Sequence, residues 1–186
     1  MQNTITLEND FVKVSPLTLD NYHHLIPVAS QPGLVKYSPT DIETPESLKD
    51  YTETALLHYK QGSCIPFIIY NKTAQAYAGC TRYMNIDQRN KVLEIGSTWI
   101  GKEFQGSGLN GHIKKLMLDH AFGPMGFEKV EFRVDERNIR SRKAVEKLGC
   151  RLEGILVKNV YLLDGFKRNT CCYGLLKEEW IKNNTA

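Results

Sequence analysis

The 186-residue chain predicts a single α/β domain of the α+β kind. Helices flank a mostly antiparallel sheet of about seven strands with one parallel pair in its middle. Three observations lead there. Short apolar and β-branched runs recur between polar turns, the mark of strands rather than long helices. One strand–helix–strand unit, Val92 to Val134, requires a parallel pair with a right-handed crossover. No Pro/Gly/Ser-rich linker, repeat or low-complexity tract divides the chain, and its length suits one buried core spanning residues 1–186.

Phe11-Val12-Lys13-Val14 reads as a first strand. Two helices follow, Leu19 to about Ala29 and Pro45 to about Gln61, the second capped by Thr44. Ile65–Tyr70 is an apolar buried strand. Ala76–Ile86 and Val92–Ile100 form a hairpin across the polar turn Asp87-Gln88-Arg89-Asn90. Leu109, Ile113, Leu116, Met117 and Ala121 then repeat at helical spacing and give one apolar face. Lys129–Val134 returns as a strand. Ile139–Leu148 is a helix closed by Gly149, and the strands Leu152–Leu162 and Lys167–Leu176 flank the turn Leu163-Asp164-Gly165.

A net charge of +3 with interleaved signs gives no sign of a nucleic-acid footprint. The start, Met1-Gln2-Asn3-Thr4, has no basic-then-apolar signal region, and no apolar run nears the ~18 residues of a membrane span. A cytoplasmic protein is expected, with neither membrane nor nucleic acid as partner. The five cysteines lack C-x-x-C spacing and read as small hydrophobes in a reducing compartment. The histidines form no ligand cluster, so no metal is expected. His112 and His120 read as helix-surface residues.

The segment Gln105-Gly106-Ser107-Gly108-Leu109-Asn110 joins a strand to a helix. Glycines there allow a tight turn, and the exposed amides at the helix start suit a phosphate. Three patterns compete. Gly106-x-Gly108-x-x-Gly111, with Glu131 downstream, fits a dinucleotide fingerprint, but Lys102–Gln105 separates the strand from the first glycine and the strand–helix alternation is missing. A triphosphate loop needs Lys-Ser/Thr where Ser107-Gly108 stands. The third, [Q/R]-x-x-G-x-[G/A/N] over Gln105, Gly108 and Asn110, resembles the pyrophosphate loop of the GNAT superfamily of acyl-CoA-dependent N-acyltransferases.

Further blocks extend that resemblance over roughly residues 10–180. Asn138-Ile139-Arg140-Ser141 through Lys147-Leu148-Gly149 is similar to the family's N-x-x-S-x-x-x-x-x-K-x-G helix. Tyr37-Ser38-Pro39 with Thr44, Glu46 and Tyr51, and the tail Asp164–Thr170 with Glu178-Glu179-Trp180, resemble the Rim-type ribosomal-protein N-terminal acetyltransferase branch. Val35-Lys36 replaces that branch's Trp-Arg, Arg168-Asn169-Thr170 its Arg-Asp-Thr, and Val145 the general-acid tyrosine of many members.

The resemblance implies a GNAT-like fold, a curved sheet whose parallel pair splays apart. Acetyl-CoA would serve as acyl donor, its pyrophosphate on Gln105, Gly106, Ser107, Gly108, Leu109 and Asn110. Its pantetheine would pair with the backbone of Trp99 and Ile100 and be held by Asn138. Glu94 would act as general base, an amide near Thr98 would meet the oxyanion, and Ser141 would face the leaving thiol. An α-amine has pKa ~7.7–8.0 against ~10.4 for lysine, so a single glutamate suits a peptide N-terminus or weakly basic small amine better. The acceptor pocket is expected from Leu34–Pro39, Arg82–Asn85 and Tyr161–Asn169. The resemblance also allows a homodimer. A catalytically silent acyl-CoA-binding module is the alternative function.

Overall fold

The structure is a computed structural model that describes residues 4–184. Met1 to Asn3, part of the stretch without a signal-like region, lie outside the described residues. Eight strands form one sheet in the order β1-β2-β3-β4-β5-β6-β8-β7. They are β1 Leu7–Glu8, β2 Val12–Pro16, β3 Ile65–Asn71, β4 Ala76–Asp87, β5 Val92–Ile100, β6 Lys129–Asp135, β7 Arg151–Tyr161 and β8 Lys167–Leu176. Every neighbouring pair is antiparallel except β5 and β6. The expected architecture is therefore present with one more strand, the two-residue β1.

The helices are α1 Ile26–Ala29, α2 Pro45–Lys60, α3 Leu109–Phe122, α4 Ile139–Glu146 and α5 Lys177–Asn184. α2 starts where its sequence demands: Thr44 and Ser47 cap each other, Pro45 needs no donor, and Glu46 sits at the positive end. The expected helix from Leu19 to Ala29 is broken into a 3-10 turn, Tyr22–Leu25, and the short α1. Pro27 lacks an N–H and cannot continue a helix begun upstream. Instead it sits in the first turn of α1.

The two faces of the sheet bury separate cores. One packs Val14, Phe67, Leu93 and Ile95 against Ile113, Met117 and Ala121 of α3, Val145 of α4 and Trp180 of α5. The other packs Ile68, Cys80 and Trp99 against Val28 of α1 and Leu48 and Tyr51 of α2. Trp180 Nε1 also donates to Asp119 Oδ1 at 2.9 Å, tying α5 to α3. All five cysteines are free; Cys172 is half-buried and the other four are buried.

β5 carries the irregularity on which the site depends. On β4, Cys80 pairs with Trp99 and Arg82 with Gly96, so Ser97 and Thr98 together face Thr81. This is a β-bulge, with Ser97 at a left-handed φ of 47°. Before it, Val92, Leu93 and Glu94 pair with Lys129, Val130 and Glu131 of β6; beyond Glu94 the parallel ladder ends. The two central strands part there.

Lys114 of α3 is buried beside this break, at 6% exposure. Its Nζ donates to Thr98 Oγ1 at 2.6 Å, and Thr98 in turn shares a 2.7 Å bond with Thr81 Oγ1. It makes no ion pair within 4.0 Å among the described residues. Burial pushes its ammonium down to about 7, with the neighbouring Cys150 acting weakly the other way. The folded state then binds this proton less readily than the unfolded chain does. Stability from this group is poorest below the folded value and improves as pH climbs towards the ordinary lysine range. Lys114→Met should accordingly resist urea better than the wild type, with a larger gain at about pH 6 than at about pH 10. An equal gain at both pH values would show that the ammonium carries no such penalty.

Candidate functional site

Glu94 occupies the last rung of the parallel ladder, opposite Glu131. Its side chain is buried, 6% exposed, rather than the solvated strand carboxylate its sequence context also permits. Asn85 Nδ2 donates to Glu94 Oε2 at 2.7 Å, and Arg133 Nε stands 3.5 Å from the same oxygen. Burial raises the Glu94 carboxyl above its ordinary range; Asn85 and Arg133 oppose that and Glu131 adds to it. The other oxygen is kept clear by a glycine. A Cβ on Gly96 would stand 3.0 Å from Glu94 Oε1 and 2.8 Å from Met84 Sδ. Any larger residue there would crowd the carboxylate.

Trp99 and Ile100 complete β5, paired on one edge with Cys80 and Gly79 of β4. Their side chains are buried, and Trp99 Nε1 donates to Tyr51 Oη at 3.3 Å. Only their backbone is available to a ligand, along the edge from which β6 has departed.

The loop after β5 begins with a 3-10 turn, Lys102–Phe104, which holds the glycines away from the strand end. Gln105 Nε2 donates to Ile100 O at 2.8 Å, while its Oε1 accepts from Arg140 Nη1 on α4. One side chain thus bridges the two arms of the split. Gly106 and Gly108 have φ of 81° and 88°, and Gly108 is the N-cap of α3 without any side-chain cap. A side chain at either position would be strained by this φ, although a Cβ would meet open space. Ser107 Oγ donates to Phe104 O at 2.7 Å and shapes the turn. The amides of Gly106, Ser107 and Gly108 have no backbone partner among the described residues. Leu109 is buried in the core, so it can offer only backbone; Asn110 is half-buried. Three free donors at a helix start have the geometry that suits an anion.

α4 brings the remaining candidates to the same split. Asn138 Oδ1 accepts from Ser141 N at 3.2 Å as the cap of α4, and Arg140 lies between them on the Gln105 bridge. Ser141 is half-buried rather than fully exposed. Val145, in place of the tyrosine, faces the core at 7% exposure. Glu94 stands apart from this group, at the inner end of the split.

The two terminal segments of the expected acceptor pocket do meet. Arg168 Nη1 donates to Tyr37 O at 2.6 Å. The Arg137 guanidinium lies 3.7 Å from the Phe166 ring centre and 5.6 Å from that of Tyr37. Asn169 Nδ2 donates to Glu136 Oε2 at 2.8 Å. Of Arg82–Asn85, by contrast, Arg82, Met84 and Asn85 line a recess at the far end of α2, linked to Glu94 through Asn85, while Tyr83 is buried in the core on the α3 face. Arg137 and Lys114 were not legible as site residues. The only signal for Lys114 is its place in the arc 114, 118, 122 that flanks 109, 113, 117, 121. Among the described residues no cluster of three or more His, Cys, Asp or Glu could hold a metal, and no helix is long and apolar enough to cross a membrane.

Comparison with known proteins agrees with this geometry. Residues 12–151 match the family described as "Acetyltransferase (GNAT) domain". The "Putative ribosomal N-acetyltransferase YdaF" of Bacillus subtilis (strain 168) is 28% identical over 143 residues, covering 74% of this chain and 75% of its own. A "putative acetyltransferase" from T. thermophilus superposes with a TM-score of 0.86 at 30% identity, over 100% of this chain and 96% of that one. Mycobacterium smegmatis RimJ, solved in complex with CoA-disulfide, superposes with a TM-score of 0.78 at 21% identity, covering 94% and 87%. The chain belongs to the GNAT family of acetyltransferases.

Proposed function

We propose that this protein transfers the acetyl group of acetyl-CoA directly to a primary amine, an α-amine at a peptide N-terminus or a weakly basic small amine. The observation that carries the reading is the pairing of three unpartnered amides, Gly106 to Gly108, with a sheet that parts just past a buried glutamate. The pyrophosphate would lie on those amides and on Asn110. The pantetheine would run along the open edge of β5 at Trp99 and Ile100, with Asn138 on its other side. Coenzyme A in the RimJ structure and the ribosomal name of YdaF support the donor and a protein acceptor.

Glu94 would take a proton from the incoming ammonium, directly or through one water, and Asn85 and Arg133 hold its carboxylate for that task. The neutral amine would attack the thioester carbonyl at the bulge. There Ser97 and Thr98 fall at the break in the register, and the amide near Thr98 would meet the charge developing on oxygen. A thiol of pKa ~8.5 leaves readily, so the Ser141 hydroxyl suffices as donor where other members carry a tyrosine. A binding-only module would need neither Glu94 nor Ser141. The exposed apolar side chains of the edge strand β7, Leu152, Ile155, Leu156 and Val157, also fit a homodimer.

Titration calorimetry should show acetyl-CoA binding and no NAD binding. Gly108→Val should weaken acetyl-CoA by an order of magnitude or more, about 1.4 kcal/mol, through strained backbone and a methyl pair in the phosphate's approach. Unchanged affinity would place the phosphates elsewhere.

Glu94→Gln keeps the shape and the bond from Asn85 but removes the base. Turnover at neutral pH should fall by ~10²-fold or more while acetyl-CoA affinity holds. Because burial raises the Glu94 carboxyl, the acid limb of the wild-type rate should lie above the ordinary carboxylate range and vanish in Glu94→Gln. Raising the pH should restore part of the lost rate, since more acceptor is then already neutral. Full turnover of Glu94→Gln with chemistry rate-limiting would leave Glu94 as a structural carboxylate.

A further inference from the structure

Arg82 on β4 is buried, 5% exposed, and its guanidinium lies 4.2 Å from the centre of the Tyr51 ring. Its Nε and Nη2 have no hydrogen-bond partner among the described residues. The titratable groups that act on its charge are Tyr51, Cys80 and Cys64, all neutral at neutral pH, and no carboxylate is among them. A buried guanidinium without an anion is among the costliest arrangements a protein can hold. The ring of Tyr51 offsets part of that cost through its quadrupole. It cannot fill a fork of donors built to take two carboxylate oxygens.

The surroundings of Arg82 suggest what the fork is for. It lines a recess of about 240 Å³ with His58, Gln61, Ser63 and Asn85. None of these brings a negative charge, and several bring donors. The register places the recess beside the candidate base. Arg82 pairs with Gly96 and Met84 with Glu94, so Arg82 and Glu94 are diagonal neighbours on one face of the sheet, roughly 7–8 Å apart along the backbone. Asn85 belongs to both sites, lining the recess while donating to Glu94 at 2.7 Å. An amine positioned at Glu94 therefore has a cationic, donor-rich cavity within one side chain's reach.

We infer that the recess at Arg82 binds a carboxylate of the acceptor, so that the substrate class is a primary amine that also bears a carboxylate close to it. This rests on the acetyl-transfer reading above. The carboxylate pairs with the guanidinium, and Gln61 and His58 supply further donors around it. The same chemistry would come from an acidic residue at the start of a peptide or from a free acidic amino acid.

Thiol release with matched acceptors tests this. The peptide arm uses C-terminally amidated peptides with Glu or Asp at the first or second position against the same peptides with Gln or Asn. The small-molecule arm uses free glutamate against its diamide. The wild type should show kcat/KM at least about tenfold higher for the acidic member in one arm, and that arm identifies the source. Arg82→Gln should reduce the preference to within about twofold, and Arg82→Lys, which keeps the charge without the fork, should restore part of it. Acetyl-CoA titration of each variant verifies its fold, and a variant that fails it leaves the decision to the wild-type ratios. Equal kcat/KM for acidic and amide members in both arms overturns this inference alone. Acetyl-CoA binding without thiol release to any amine overturns the transfer reading and this inference with it.

Discussion

Two residues of β5 lie where β4 offers one. Ser97 and Thr98 against Thr81 make the bulge that bends β5 away from β6, and the left-handed Ser97 is its visible strain. The parallel pair consequently ends at Glu94 and Glu131 instead of running the length of both strands. A continuous ladder would satisfy more backbone bonds. The broken one leaves β5 from Ile95 onward with a free edge and opens a wedge in the middle of the sheet. The glycine loop, the cap of α4 and the glutamate all stand around that wedge. A regular β5 would close it and leave these residues without a shared site.

The fold concentrates its electrostatic costs at the same place. Glu94, Lys114 and Arg82 are each at most 6% exposed, and all three sit on or beside the bulge. Glu94 has a donor in Asn85 and a cation in Arg133, so its burial is only partly uncompensated. Lys114 has the hydroxyl of Thr98 and no acid, which drives it towards the neutral amine. Arg82 cannot be neutralised at all and is left with unpartnered donors. Perturbed ionisable groups cluster where chemistry is done, and a protein tolerates such strain where a ligand relieves it. The two faces divide the work: Lys114 lies under the α3 face, Glu94 and Arg82 on the α2 face.

Much of this was legible in the chain. β5 and β8 have the limits their sequences predict, because polar turns bound them and apolar residues fill them. Thr44 caps α2 as its neighbours Pro45 and Glu46 imply, and the glycine loop sits between strand and helix as its composition requires. β1 escaped because two residues carry no period, and α5 because it buries little more than Trp180. The helix expected at Leu19–Ala29 failed at Pro27. The burial of Lys114 and Arg82 could not be read locally, since long cationic side chains ordinarily snorkel to water. Their fate depends on which strands and helices cover them. The bulge itself has no composition signal beyond Gly96, and it emerges only when β4 and β5 are set in register.

Amide hydrogen exchange with and without acetyl-CoA tests the central claim, that the break in β5 is the donor's seat. Saturating acetyl-CoA should slow exchange at Gly106 to Asn110 and along the edge of β5 from Ser97 to Ile100, which has no β6 partner. The edge strand β7, far across the sheet, should not change. Protection confined to other parts of the molecule, with Gly106–Gly108 and the β5 edge exchanging as before, would contradict the account at its base.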